Sequence, residues 1–339
     1  LSLFYRIGWI LVNSMNTPRS AHTASIITND TIVVVGGYSG SIYLNTAELY
    51  NVNTGTWSFI APMIKARAYH TATVLANGNI LVTGGISSTG VLQEAEVYDP
   101  LMNTWTAVPN MNSKRYYHTA LLLANGQVLA AGGSDGAGLN TAELYNPSTS
   151  SWTPINNMNF IRCYHTATVL LNGEILMAGG GDLASNPINV AELYDQTSST
   201  WISIPNMIKT RSYHTASLLF NGKVLVVSGS GLSAGNSTEL YDSVANSWTL
   251  TGNLNLPRYM HANTVLKDGI VLTTGGITGF TVTNTSELYD SNTGIWTLTY
   301  SMNYPRLSHT TSLLPNGKVL AVGGTNYAVY YNSVEMYNP

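Results

Sequence analysis

The chain has 339 residues, a formal net charge of −3, 44% hydrophobic and only 9% charged residues, a balance without the basic footprint that a nucleic-acid partner requires. A single cysteine, Cys163, excludes an intrachain disulfide framework, and no apolar run is long enough to span a bilayer, so membrane insertion is not expected. The length would ordinarily imply two domains, but a repeat accounts for all of it as one.

From the N-terminus, LSLFYRIG does not form a signal peptide, and with Leu1 in first place the chain reads as an excised domain or a mature product. Trp9 follows, the first of seven tryptophans at 9, 57, 105, 152, 201, 248 and 296. All seven histidines make a second column, His22, His70, His118, His165, His214, His261 and His309, at the same spacings of 47 to 49 residues. A period in this range marks a repeat architecture. An arginine stands three residues before each histidine, at Arg19, Arg67, Arg115, Arg162, Arg211, Arg258 and Arg306, taking seven of the eight present. Fifteen residues after each histidine comes the second glycine of a pair, broken only by Ser228 in the fifth copy. Glu-x-Tyr then follows, from Glu48 and Tyr50 to Glu335 and Tyr337, with seven of the nine glutamates.

Within one copy the pattern predicts four strands, a to d. Around His70 the residues alternate, Ala72 and Val74 on one face and Thr71 and Thr73 on the other, as strand a requires. Asn77-Gly78 separates this run from the apolar strand b, Ile80 to Thr83, and is read as a hairpin with a type I′ turn. The turn recurs at Asn125-Gly126, Asn172-Gly173, Asn221-Gly222, Asp268-Gly269 and Asn316-Gly317, with Asn29-Asp30 as the variant. The Glu-x-Tyr segments give strand c and the tryptophan segments strand d, and no stretch has helical periodicity. The spacings Trp to His (13), His to the second Gly (15) and Glu to Trp (9) never change, whereas Gly to Glu runs from 10 to 12. The b-to-c loop is therefore the segment free to vary.

The chain opens on a lone d strand and stops after a c strand, 28 strands in all. These make seven complete blades only if the first strand joins the last three, which also leaves no unpaired edge. The glycine pair, Glu-x-Tyr and tryptophan in seven units resemble the kelch family. The resemblance implies an all-β fold, a seven-bladed β-propeller of four-stranded antiparallel blades, with strand a lining the channel and strand d outermost. The expected organisation is a single domain over 1–339, residues 1–17 closing the last blade and repeats at approximately 18–65, 66–113, 114–160, 161–209, 210–256, 257–304 and 305–339.

Alternating strand direction puts the d-to-a and b-to-c connections on one face, with the channel mouth, and the fixed a-to-b and c-to-d turns on the other. The mouth face carries loops of differing chemistry, YSGSIYLN (38–45), ISSTGVLQ (86–93), SDGAGLN (134–140), GDLASNPIN (181–189) and ITGFTVTN (277–284). It is the expected working surface. The seven histidines could be metal ligands, but residues supplied once per blade diverge around a ring, whereas zinc gathers three or four at one point. They are read as packing between blades, and no metal or cofactor is expected. The arginines either pair with the seven glutamates, whose carboxylates need partners if buried, or ring the mouth with positive charge that attracts acidic ligands. Tyr69, Tyr117, Tyr164 and Tyr213, each just before a histidine, make one arc of the mouth aromatic. They either pack on neighbouring blades or form a platform for a sugar ring or peptide.

Kelch propellers that act as substrate adaptors of ubiquitin ligases use arginines at the entry to strand a for acidic peptides, and Arg67, Arg115 and Arg211 match that position. Arg162-Cys163-Tyr164-His165 and Arg211-Ser212-Tyr213-His214 also resemble the propeller of galactose oxidase. That resemblance implies a copper-radical oxidase as an alternative, although Cys163 adjoins Tyr164 on one strand, so their side chains point oppositely and the family's cross-link is not reproduced. The reading preferred here is a non-enzymatic recognition module, a monomeric ring, whose arginine and tyrosine columns and b-to-c loops bind a protein or glycan. A bare scaffold within a larger protein is a further alternative. Arg67→Ala and Tyr117→Ala are expected to weaken binding without unfolding. Glycosylation acceptors stand at Asn29, Asn236 and Asn284. The uncharged surface leans toward an extracellular setting.

Overall fold

Strand b is apolar along its whole length rather than alternating, and the reason is that both of its faces are covered. In the second blade Ile80–Thr83 is buried throughout, and the same holds for strand b in every blade. A computed structural model describes residues 8–28, 30–182, 186–231 and 233–339. Asn29 and the centre of the 181–189 loop lie outside the described residues, as do residues 1–7. Among the described residues there is no helix, and none therefore long and apolar enough to cross a membrane.

Seven four-stranded antiparallel sheets form, each in the order a-b-c-d. The second blade is Thr71–Val74, Ile80–Thr83, Ala95–Asp99 and Thr104–Val108. The seventh consists of Thr310–Leu313, Val319–Val322 and Val334–Asn338, completed by Gly8–Val12 from the other end of the chain. The register of that seam runs from Gly8 opposite Asn338 to Val12 opposite Val334, with Trp9 opposite Tyr337. The a strands of neighbouring blades touch one another all the way round, the first meeting both the second and the seventh, so strand a is innermost. Four two-residue strands add to the expected 28: Ile86–Ser87 pairs with Gly90–Val91 and Ile277–Thr278 with Thr281–Val282, small hairpins in the b-to-c loops of the second and sixth blades.

The core lies between blades. Across the closing seam, Leu314, Leu320, Val322 and Val334 pack on Ile32, Val34 and Tyr50 of the first blade, and corresponding clusters fill the other seams. On the outer strand each tryptophan packs on the Glu-x-Tyr ring opposite it, Tyr98 and Trp105 at 5.0 Å between centroids for example. The Trp105 indole N–H donates to Ala61 O of the preceding blade at 2.7 Å, which ties the rims together.

The a-to-b turns differ from the type I′ expectation. Only the glycine has positive φ (85° at Gly78), while Gly78 N donates to Leu75 O and Leu75 N to Asn79 O. This is a three-residue loop, a turn of type I with glycine in the left-handed position. The Asn77 side chain accepts from Asn79 N at 3.1 Å, which serves this longer loop and not a two-residue one. The sequons also acquire another role. Asn236 and Asn284 each donate from Nδ2 to a backbone carbonyl, Leu254 O and Met302 O, at 2.7 Å.

Candidate functional site at the channel mouth

The chain reaches the mouth through the d-to-a connections, and the arginine and glutamate columns hold these in place. All seven guanidinium groups are buried at 0–1% exposure. Each donates from Nη2 to the glutamate of its own blade at 2.6–2.9 Å: Arg19 to Glu48, Arg67 to Glu96, Arg115 to Glu143, Arg162 to Glu192, Arg211 to Glu239, Arg258 to Glu287 and Arg306 to Glu335. Nη1 donates to the carbonyl of the first residue of the glycine pair, Gly84 O at 2.7 Å for Arg67. The glutamate also accepts from the connection itself, Glu143 taking Asn112 N at 2.7 Å and Asn112 Nδ2 at 2.9 Å. Burial lowers each arginine pKa and the paired carboxylate opposes that shift. Of the two readings of the arginine column, the structure has the paired one. The mouth carries no ring of open cations, since all seven guanidinium groups are buried against their glutamates, and their part is to fix the connections that lead to it.

The residue before each histidine takes a left-handed backbone in every blade, with φ from 49° to 57° at Ala21, Tyr69, Tyr117, Tyr164, Tyr213, Met260 and Ser308. Such a conformation costs a non-glycine residue about 1–2 kcal/mol. It is held because the amide of each of these residues donates to the carbonyl of its counterpart in the preceding blade, Tyr69 N to Ala21 O and so on round to Ala21 N to Ser308 O. The seven bonds close into a ring about the channel. A second circuit runs from each second glycine to the carbonyl of the next blade's arginine, Gly37 N to Arg67 O and finally Gly324 N to Arg19 O. In the six blades that carry it, a Cβ on the first glycine would meet that same carbonyl at 2.3–2.6 Å, which favours glycine in that slot. Ser228 occupies that slot in the fifth blade, and its hydroxyl instead accepts from Arg258 N at 2.9 Å.

The four tyrosines are half-buried and lean on one another. Ring centroids are 4.5 Å apart for Tyr69 and Tyr117, 4.2 Å for Tyr117 and Tyr164, and 3.9 Å for the stacked pair Tyr164 and Tyr213. Burial raises the pKa of all four, and Tyr164 is pushed up to about 12, so these hydroxyls are neutral hydrogen-bonding groups. The cluster walls one side of the mouth. Opposite it, where Ala21, Met260 and Ser308 stand in place of tyrosine, a hollow of about 230 Å³ opens. It is lined by those three with Tyr69, Tyr117, Tyr213 and the histidines His22, His261 and His309. The Tyr164 ring does not line it.

Each histidine lies in a seam between blades, Nε2 2.8–3.0 Å from a threonine hydroxyl of the blade before, as His165 is from Thr119. Ala262 interrupts the threonine column, and His309 uses Thr274 instead. Burial, then the neighbouring arginine cations, hold the imidazoles far below their usual pKa, at about 3 for His22 and His214. They are neutral and committed. Among the described residues no three His, Cys, Asp or Glu side chains gather where a metal could sit. Copper of the oxidase type does not fit here: His165 and His214 face threonines, and the buried Cys163 thiol donates to Gly181 O at 3.2 Å.

Sequence reasoning missed the positions that make the hollow, because Ala21, Met260 and Ser308 look like gaps in a tyrosine column. The available signal was that this column changes chemistry from copy to copy beside an unchanging histidine.

The domain described as KLHDC2/KLHL20/DRC7 Kelch-repeats domain matches residues 11–180, and the Kelch motif matches residues 162–208 and 306–339. No curated protein shows significant similarity along the sequence. Among solved structures, one described as a novel fungal alcohol oxidase with catalytic diversity among the AA5 family, in complex with copper, superposes with a TM-score of 0.80 at 20% identity, over 98% of this chain and 77% of the other. At that identity the likeness is one of fold.

Proposed function

We propose that this chain, which belongs to the kelch-repeat family of β-propellers, is a recognition module that binds a protein or glycan on its channel-mouth face. Kelch propellers are typically protein-binding modules. The carrying observation is the column before the histidines. Its backbone is the same in all seven blades, locked into a closed ring, while its side chains run from Ala21 through four tyrosines to Met260 and Ser308. A rigid frame presenting variable side chains is the usual form of a binding surface. Tyr69, Tyr117, Tyr164 and Tyr213 supply the aromatic wall, the b-to-c loops supply the rim, and the arginines support both from within.

Tyr117→Ala tests this. Ala21 already occupies the equivalent position, so the backbone accepts alanine there and the melting temperature should move little. Binding of protein or glycan ligands, from a pull-down or a glycan array, should fall about tenfold or more, as for an aromatic contact residue. Ligands that bind the Tyr117→Ala chain as well as the parent would refute the assignment.

A further inference from the structure

The mouth is electrically two-sided, and the division falls where the tyrosine column ends. Among the described residues of its connections, every charge on the exposed mouth face belongs to blades two to five: Lys65, Glu94, Lys114, Asp135, Asp182 and Lys209. The corresponding segments of blades six, seven and one contain none. Their d-to-a connections read Leu256-Pro257, Tyr304-Pro305 and Thr17-Pro18, and their b-to-c loops are ITGFTVTN (277–284), TNYAVYYN (325–332) and YSGSIYLN (38–45). These loops put large apolar side chains into solvent. Phe280 is fully exposed at a hairpin tip, with Tyr327 at 64%, Ile42 at 59% and Val329 at 49%. The loops of blades seven and one are joined, Tyr38 lying edge-on to Tyr330 at 5.6 Å and against Tyr43 at 5.1 Å.

The hollow opens on the side of the same three blades, which supply six of its nine lining residues, while Tyr69, Tyr117 and Tyr213 form its other wall. Two independent features thus coincide: an apolar, uncharged rim and the hollow that opens where the tyrosine column is interrupted. Resting on the proposal that this face binds a ligand, we infer that the arc formed by blades six, seven and one docks an uncharged segment of a partner protein, which seats one apolar side chain in the hollow beside Ser308 while its flanks cover Phe280, Tyr327, Val329 and Ile42. An apolar anchor in a pocket, ringed by contacts that exclude water, is how protein interfaces concentrate their energy. A charged segment would be desolvated against this arc with no counter-ion to meet it. A membrane surface would call for lysines beside the apolar tips, and here the lysines stand on the opposite arc.

The test is selection of a phage-displayed library of random linear peptides against the whole chain. The expected peptides are uncharged around an aromatic or branched apolar residue. Ser308→Tyr, which fills the hollow with the residue four other blades already carry, and Phe280→Ser should each weaken them about tenfold or more. Leu171→Ser, on the opposite face, should leave them unchanged. Should Ser308→Tyr not fold, Ala21→Tyr fills the same space. Enrichment of acidic or basic peptides, or no peptide retained above the level on the Ser308→Tyr chain, overturns the inference. So does binding lost on changing Lys65 or Asp135 but not Ser308, which leaves the mouth-face function standing; loss with Leu171→Ser overturns both. Phe280-dependent binding to phosphatidylcholine–phosphatidylserine vesicles or to neutral glycans, with no peptide bound, also refutes a protein segment as the occupant.

Discussion

Lowering the pH from 7.5 to 5.5 should strip this propeller of most of its stability, because seven histidines are neutral in the folded ring and free to charge in the unfolded chain. The folded pKa is depressed, to about 3 at His22 and His214 and well below 6.5 at the others, by burial first and by adjacent arginines second. The unfolded chain therefore binds more protons between about pH 6.5 and 3, and stability present above that window is lost as pH falls through it. One unit below the unfolded pKa, each histidine costs about 1.4 kcal/mol, or about 10 kcal/mol for seven. A domain typically has about 5–15 kcal/mol in all. The geometry explains why the ring cannot adapt: each Nε2 is taken by a threonine hydroxyl, and the ring edge lies against the first glycine of the preceding blade's pair, His165 Cε1 being 2.7 Å from where a Cβ on Gly132 would stand. Urea titrations at pH 7.5, 6.5 and 5.5 should show the midpoint collapsing over the last unit. Calorimetry at pH 5.5 in buffers of differing ionisation enthalpy should record uptake of about six protons on unfolding. A midpoint that holds from pH 7.5 to 5.5, or uptake of one proton or fewer, would refute the buried, neutral seam.

The arginine–glutamate latches should behave as structure. Arg67→Ala or Glu192→Gln should each cost about 3–5 kcal/mol, seen as a drop in the urea midpoint, because each leaves a buried charge without its partner. The expectation that Arg67→Ala spares the fold is thereby replaced. The double substitution Arg162→Met with Glu192→Leu, which often rescues an isolated buried pair, should not do so here. Glu192 also accepts from Asn159 N at 2.8 Å and Nδ2 at 2.7 Å, and those donors would be orphaned. Ser228→Ala should cost about 1–3 kcal/mol by leaving Arg258 N without its acceptor; an unchanged melting curve would show that the hydroxyl is dispensable.

The blade count, the closing strand and the face that carries variable loops were all legible from residues alone, since each follows from spacing. A period near 48 residues, a fixed interval from tryptophan to histidine, and a chain that begins with d and ends with c leave one way to close a ring. Those are backbone constraints, and indels report them directly. What spacing could not decide was where side chains go once blades face each other. Whether the arginines point into the mouth or into the blade depends on a distance between Arg67 and Glu96 that is 29 positions long in sequence and 2.7 Å in space. The turn at Asn77-Gly78 differs from its type I′ expectation because a dipeptide preference does not reveal the number of residues between the last paired positions of two strands.

The seven left-handed residues before the histidines carry no sequence mark of strain, being alanine, tyrosine, methionine and serine rather than glycine. Their conformation is dictated by hydrogen bonds to the neighbouring blade, which exist only after the ring has shut. In sequence the four tyrosines form an apparent platform. In the folded ring the four aromatic side chains lean on one another, and the hollow opens opposite them, where Ala21, Met260 and Ser308 stand. Repetition along the chain thus determined the scaffold, while convergence of unlike side chains at the axis, a contact between parts of the sequence far apart, determined the shape of the mouth.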